Sequence, residues 1–119
     1  MKPAACIFLI FISSCVSNEL PQANNCDVAN PIEDLPWLKA EIADRNDSEM
    51  ERKYWYITQA SYKVETVFIV KNCCPMCSML PPPVYSCDGE LLFRATDEEY
   101  NRISHERIIW KSAEYECTF

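Results

Sequence analysis

Apolar positions along this chain recur with two different periods, and each period predicts a different kind of element. Tyr54-Trp55-Tyr56-Ile57-Thr58-Gln59-Ala60-Ser61-Tyr62 and Val64-Glu65-Thr66-Val67-Phe68-Ile69-Val70 are rich in β-branched and aromatic residues, which suit a pleated surface. Together they predict an antiparallel hairpin that turns at Lys63 and its neighbours. On the second strand Glu65 and Lys71 share a face with Val67 and Ile69, because side chains alternate along a strand. Val64, Phe68 and Val70 occupy the other face and are expected to look toward a helix.

That helix is predicted just upstream. Asn30-Pro31-Ile32-Glu33-Asp34 opens the folded part, Asn30 or Asp34 can cap a helix, and Pro36 fits its first turn, where no backbone donor is lost. Leu35, Leu38 and Ile42 then form one apolar stripe, with Lys39, Glu41 and Asp44 opposite. Trp37 lies off the stripe and is expected to pack at its edge as a core aromatic. Arg45 to Lys53 alternates in charge and continues the helix or forms a solvated loop.

After the hairpin, Pro81-Pro82-Pro83 must be extended and cannot donate to a sheet. Val84-Tyr85-Ser86-Cys87 and Glu90-Leu91-Leu92-Phe93 flank Asp88-Gly89, a strong hairpin signal that places the chain's one glycine where a positive φ is needed. Thr96-Asp97-Glu98-Glu99 has the form of a capping box and predicts a short helix through Tyr100 and Ile103. Arg107-Ile108-Ile109-Trp110-Lys111 reads as a last strand. The expected fold is α+β: one N-terminal helix on a small antiparallel sheet of four to five strands, with a second short helix near the C-terminus.

The N-terminus carries a different message. Lys2 precedes the uninterrupted apolar run Ala4 to Ile12, too short to span a bilayer as a permanent helix but suited to a signal-peptide core. Ile12-Ser13-Ser14-Cys15 follows at the end of that run and resembles the bacterial lipobox. The resemblance implies cleavage before Cys15 and acylation of that residue, with acyl chains anchoring the domain to a membrane. The plainer alternative is an ordinary secretory signal cut nearby, with Cys15 and Cys6 incidental. Residues 1–14 are thus expected to be signal peptide, 15–29 the lipidated cysteine and a polar tether, and 30–119 a single domain. No acidic cluster follows Cys15 directly, and Val16 is not the aspartate that resembles an inner-membrane retention signal. The expected address is the cell envelope, at the outer membrane.

Composition narrows the function classes. The chain has 119 residues, enough for one domain. It carries 18 acidic residues against 11 basic ones, a balance that argues against nucleic acid, whose phosphates call for Lys and Arg. One glycine against eight prolines excludes a Gly-rich phosphate loop. No cofactor is indicated. Removing residues 1–14 takes away Lys2, leaving 10 basic minus 18 acidic, or −8.

The same cleavage removes Cys6, and acylation takes Cys15 out of thiol chemistry. Cys26, Cys73, Cys74, Cys77, Cys87 and Cys117 remain, an even number that reads as a disulfide framework in a small exported domain. A core this small gains from such staples. A vicinal Cys73–Cys74 bond would strain the peptide between them. The expected arrangement therefore sends Cys73 and Cys74 separately to Cys87 and Cys117 and leaves Cys26 with Cys77, although spacing alone leaves connectivity open.

The stretch Cys73-Cys74-Pro75-Met76-Cys77-Ser78-Met79 also carries the sharper chemical readings. Cys74-Pro75-Met76-Cys77 has the spacing of thiol–disulfide oxidoreductases, but those use a following helix to activate the first cysteine, and the prolines here forbid one. Cys73, Cys74, Met76, Cys77 and Met79 could hold Cu(I) if the thiols stayed reduced. Cys77 is followed by serine, which excludes haem attachment, and paired zinc motifs are absent. The one histidine, His105, has no nucleophile motif beside it and reads as a loop residue. Asp97, Glu98 and Glu99 suit a helix N-terminus. Asn46-Asp47-Ser48 is a formal glycosylation sequon, relevant only in a eukaryotic secretory pathway.

Asn30-Pro31, Leu35-Pro36-Trp37-Leu38, the strand through Val67-Phe68, Cys73-Cys74 and Tyr85-Ser86-Cys87-Asp88-Gly89 together resemble small lipoproteins of Bacteroidetes-type bacteria built on a domain of unknown function. The resemblance covers roughly residues 30–117. The region after Phe93 departs from it, as do Cys26 and Cys77. It implies a fold and an address but no activity. Three functional classes follow from the sequence: a membrane-tethered, non-enzymatic binding module with a protein partner to be identified; a thiol-redox or Cu(I)-handling protein; and an exported hydrolase inhibitor.

Overall fold

A computed structural model describes residues 26–77 and 80–118. Cys15 and Met79 lie outside the described residues, as does the whole predicted signal and most of the tether. Five strands form one antiparallel sheet: β1 Trp55–Tyr62, β2 Glu65–Asn72, β3 Pro83–Tyr85, β4 Leu91–Arg94 and β5 Ser104–Lys111, in the spatial order β4-β3-β2-β1-β5. Four short helices accompany it: α1 Pro31–Asp34, α2 Pro36–Asn46, α3 Glu49–Tyr54 and α4 Asp97–Tyr100. Among the described residues no helix is long and apolar enough to cross a membrane.

The α+β class and the sheet follow the sequence, but the single expected N-terminal helix is divided in three. Each division has a local cause. Proline disfavours a helical conformation in the residue before it, and Leu35, ahead of Pro36, is extended (φ −96°, ψ 108°). Ser48 ends the next piece and starts α3, its side chain accepting from the Glu51 N–H at 3.4 Å. Ser48-Glu49-Met50-Glu51 has the spacing of a capping box. The Arg45 guanidinium joins the pieces, lying 2.7 Å from Glu41 and 2.8 Å from Glu51.

The sheet is covered on both faces, so β1 and β2 are buried through their middles. On one face Leu35 and Leu38 of the helical layer meet Ile57, Phe68 and Val70. On the other, Ala60, Val67, Ile69 and Val84 lie under Ala95, with Tyr100 and Ile103 packed against them. Phe68 and Val70 thus look toward the helices as expected, but Val64 does not. It is 74% exposed because β1 and β2 are joined by the two-residue turn Lys63-Val64, both at positive φ (48° and 61°). That turn twists as the strands do, at a cost of about 1–2 kcal/mol for each residue with a Cβ.

Ser86 closes the β3–β4 turn, donating its N–H to the Glu90 carbonyl at 2.9 Å, with Gly89 inside the loop at φ 81°. The predicted capping box at Thr96 is not formed through its side chain. The Thr96 carbonyl accepts from the Tyr100 N–H instead, and the helix ends at Tyr100, whose ring is drawn down onto the sheet. Beyond β5 the chain returns along α3, where the Glu116 N–H donates to the Lys53 carbonyl at 2.9 Å.

Candidate functional site

All six predicted disulfide cysteines are bridged, and of the expected arrangement only a Cys73–Cys117 pair is formed. Cys26 joins Cys87, Cys73 joins Cys117, and Cys74 joins Cys77. Strand length explains the correction. Tyr85 pairs with Phe68, which puts Cys87 beside Thr66 near the start of β2, its sulfur 3.9 Å from the Thr66 carbonyl. Cys73 lies beyond the far end of β2, roughly 20 Å away at about 3.3 Å per residue. Neither Cys73 nor Cys74 can reach Cys87 from there, because bridged Cα atoms stand about 5–6 Å apart. The N-terminal segment takes Cys87, the C-terminal tail takes Cys73, and Cys74 closes on its near neighbour.

This decides the state of the cysteine cluster. Cys74 is buried and Met76 is 82% exposed at the tip of the small Cys74–Cys77 loop. The Asn72 side chain steadies the loop by accepting from the Cys74 N–H at 3.3 Å. Cu(I) binding by Cys73, Cys74, Met76, Cys77 and Met79 would require thiolates, and the three cysteines are disulfides here. Among the described residues no group of three His, Cys, Asp or Glu side chains converges to hold a metal. His105 is exposed in β5 with its ring near the Ser104 hydroxyl. Trp37 is a core aromatic as expected, edge-on to Phe68 at 5.6 Å, and its ring N–H donates to the Cys87 carbonyl at 2.7 Å.

Two features went unread in the sequence. The first is a cleft of about 360 Å³ between the end of β2 and the proline run. Trp55, Val70, Leu80 and Tyr85 give it apolar walls, with Arg45 and Arg94 at its margins. The three prolines announce an interrupted sheet, but nothing in the sequence says that Trp55 and Arg94 face the gap.

The second is a polar cluster on the opposite face. The Lys71 ammonium donates to the Tyr100 hydroxyl at 2.7 Å and lies 3.3 Å from the Glu106 carboxylate. Thr58 donates to Glu106 at 2.6 Å, and the Tyr100 hydroxyl donates to it as well. The rings of Tyr100 and Tyr56 lie 4.8 and 5.8 Å from the ammonium. The alternation along β2 sets Lys71 on the face of Val67 and Ile69, which the fold buries, and a charge there needs a partner; Glu106 becomes that partner through the register of β1 and β5.

No family model, curated protein or solved structure matches the chain.

Burial pushes the Glu106 carboxyl up, but hydrogen bonds from Thr58 and Tyr100 and the charge of Lys71 more than offset it, and its pKa falls below the ordinary value. Burial pulls Lys71 down, yet Tyr100 and Glu106 leave it raised above the ordinary value. A lysine held protonated is no nucleophile, and a carboxylate held ionised is a weak base. The cluster pins β1, β2 and β5 to the segment between β4 and β5. Because the folded pKa of Glu106 is depressed, its contribution is complete above the ordinary carboxylate pKa and is lost as pH falls through the folded value. Glu106→Gln is expected to cost about 1–3 kcal/mol at pH 7. The gap from wild type should close in acid, as measured by urea unfolding between pH 7 and pH 3.

Proposed function

We propose that this chain is an exported, lipid-anchored binding module, tethered to the envelope through Cys15 and without catalysis of its own. The observation that carries the reading is the bridging of all six cysteines beyond the predicted cleavage site, in a domain whose cleft beside the end of β2 is already formed. Such a framework limits the motion of the folded chain, which lowers the ordering cost of binding. The lipobox-like Ile12-Ser13-Ser14-Cys15 and the likeness to small Bacteroidetes-type lipoproteins support the address.

A second reading is favoured by one observation, the Cys74–Cys77 bridge at the spacing used in dithiol exchange. Intact-mass measurement of purified mature protein, with and without alkylation, separates the two. The binding module shows an acylated Cys15 and no alkylated thiol. Two or three alkylated thiols would transfer the assignment to redox or metal chemistry. Cys15→Ser is expected to move the protein from the membrane fraction to the soluble one, and retention at the membrane would remove the anchor.

A further inference from the structure

The register of the sheet builds the cleft on one of its faces. Phe68 pairs with Tyr85 and Asn72 with Trp55, and residues paired across antiparallel strands point to the same side. Val70 alternates onto that side together with Phe68 and Asn72. It forms the floor, with Tyr85 on one flanking strand and Trp55 on the other. One further step of the β2–β3 register sets Pro83 opposite Val70, and Pro83 pairs in turn with Arg94. The edge of β2 is covered there, so the cleft is open at its face. Arg94 starts from that same face, two strands from Val70, or about 10 Å. Both aromatic walls are held by neighbours: the Trp55 ring lies 5.7 Å from the Arg45 guanidinium, and the Tyr85 ring 5.7 Å from that of Trp37. The volume of about 360 Å³ is at the small end of the range for small-molecule sites.

Charge and donor count narrow the occupant. The chain has 18 acidic and 11 basic residues, yet no Asp or Glu lines this cleft. Arg45 at one margin is neutralised by Glu41 and Glu51, and the Lys71 ammonium points to the opposite face, toward Glu106. Arg94 at the other margin is exposed and meets no carboxylate among the described residues. Its Nη1 donates to the Pro81 carbonyl at 3.1 Å, which leaves the edge formed by Nε and Nη2. Such an edge takes a carboxylate through two parallel hydrogen bonds. Pro81, Pro82 and Pro83 bring no N–H to the cleft, so a phosphate dianion would find too few donors for its oxygens. The geometry points to a small monocarboxylate with a flat apolar body as the ligand, an inference that rests on the binding-module reading. The carboxylate sits on the free edge of Arg94, and the body lies over Val70 between Tyr85 and Trp55.

The test uses the full chain in lipid nanodiscs, with empty nanodiscs as the blank and fluorotryptophan at its three tryptophans, read by fluorine NMR. Trp55→Phe identifies the Trp55 signal. Phenylpropionate is expected to shift that signal saturably and to leave that of Trp110 in place. Binding should be about tenfold weaker, or more, for the uncharged phenylpropionamide and for the Arg94→Gln variant. Phenylethylphosphonate should bind no more tightly than the carboxylate. Equal binding of acid and amide, an unchanged affinity in Arg94→Gln, or tighter binding of the phosphonate overturns the carboxylate assignment. A saturable shift at Trp110 in place of Trp55 overturns the cleft as the site. If no signal moves while the cysteines still resist alkylation, the ligand class falls and the binding module stands; alkylated thiols bring down that module independently.

Discussion

Replacing both Cys26 and Cys87 with alanine is expected to destabilise the domain by about 4 kcal/mol, and replacing Cys73 and Cys117 by nearly as much. Cross-linking restricts the unfolded chain, and the restriction grows with the logarithm of the closed loop. Those loops span 61 and 44 residues. The Cys74–Cys77 bridge spans 3, so its removal should cost only about 1–2 kcal/mol on the same reasoning. Urea unfolding of the three double-alanine variants checks the order. Equal losses would mean that the bridges act through contacts in the folded state and not through chain entropy. The two long bridges also hold the ends of the domain, Cys26 to the β3–β4 turn and Cys117 to the end of β2. Without them the edges of the sheet should exchange amide hydrogens faster than its centre does.

Gly89→Ala is expected to cost about 2–4 kcal/mol and to lower the melting temperature by roughly 10–20 °C. Two independent effects add. Gly89 has φ 81°, a conformation that costs a residue with a Cβ about 1–2 kcal/mol. A Cβ there would also stand 2.7 Å from Cγ and 2.8 Å from Cδ2 of Trp37. The indole cannot simply swing aside, because its N–H is fixed on the Cys87 carbonyl and its ring on Phe68 and Tyr85. Differential scanning calorimetry on Gly89→Ala, Trp37→Ala and the double variant apportions the loss. If the clash matters, alanine at position 89 should cost less once the indole is gone, because contacting sites are not additive. Identical costs in both backgrounds would leave backbone conformation as the sole cause.

Much of the fold could be read from local pattern. The β1–β2 hairpin, the last strand and the glycine turn all rest on residue types whose preference is set within a few positions. The split of the helical layer was legible too, since Pro36 acts on Leu35 and the Ser48–Glu51 spacing starts a new helix. Val64 departs from the alternation because it belongs to the two-residue turn and not to β2, while Phe68 and Val70 keep the face that the alternation gives them. The capping box at Thr96 had the right spacing, but the pull of Tyr100 onto the sheet left its side chain unused.

The sequence by itself determined the α+β class, the cysteine parity, the acidic surface charge and the alternation that set Lys71 beside Val67 and Ile69. Those properties belong to composition and to neighbours along the chain. Only the tertiary structure decided that Cys73 lies a full strand from Cys87, that Glu106 reaches Lys71, and that three prolines leave a cleft beside β2 with Arg94 at its rim. Each of these depends on which strands lie side by side and in what register. That choice is made by burying both faces of the sheet at once, a condition on the whole domain that no short stretch of residues contains.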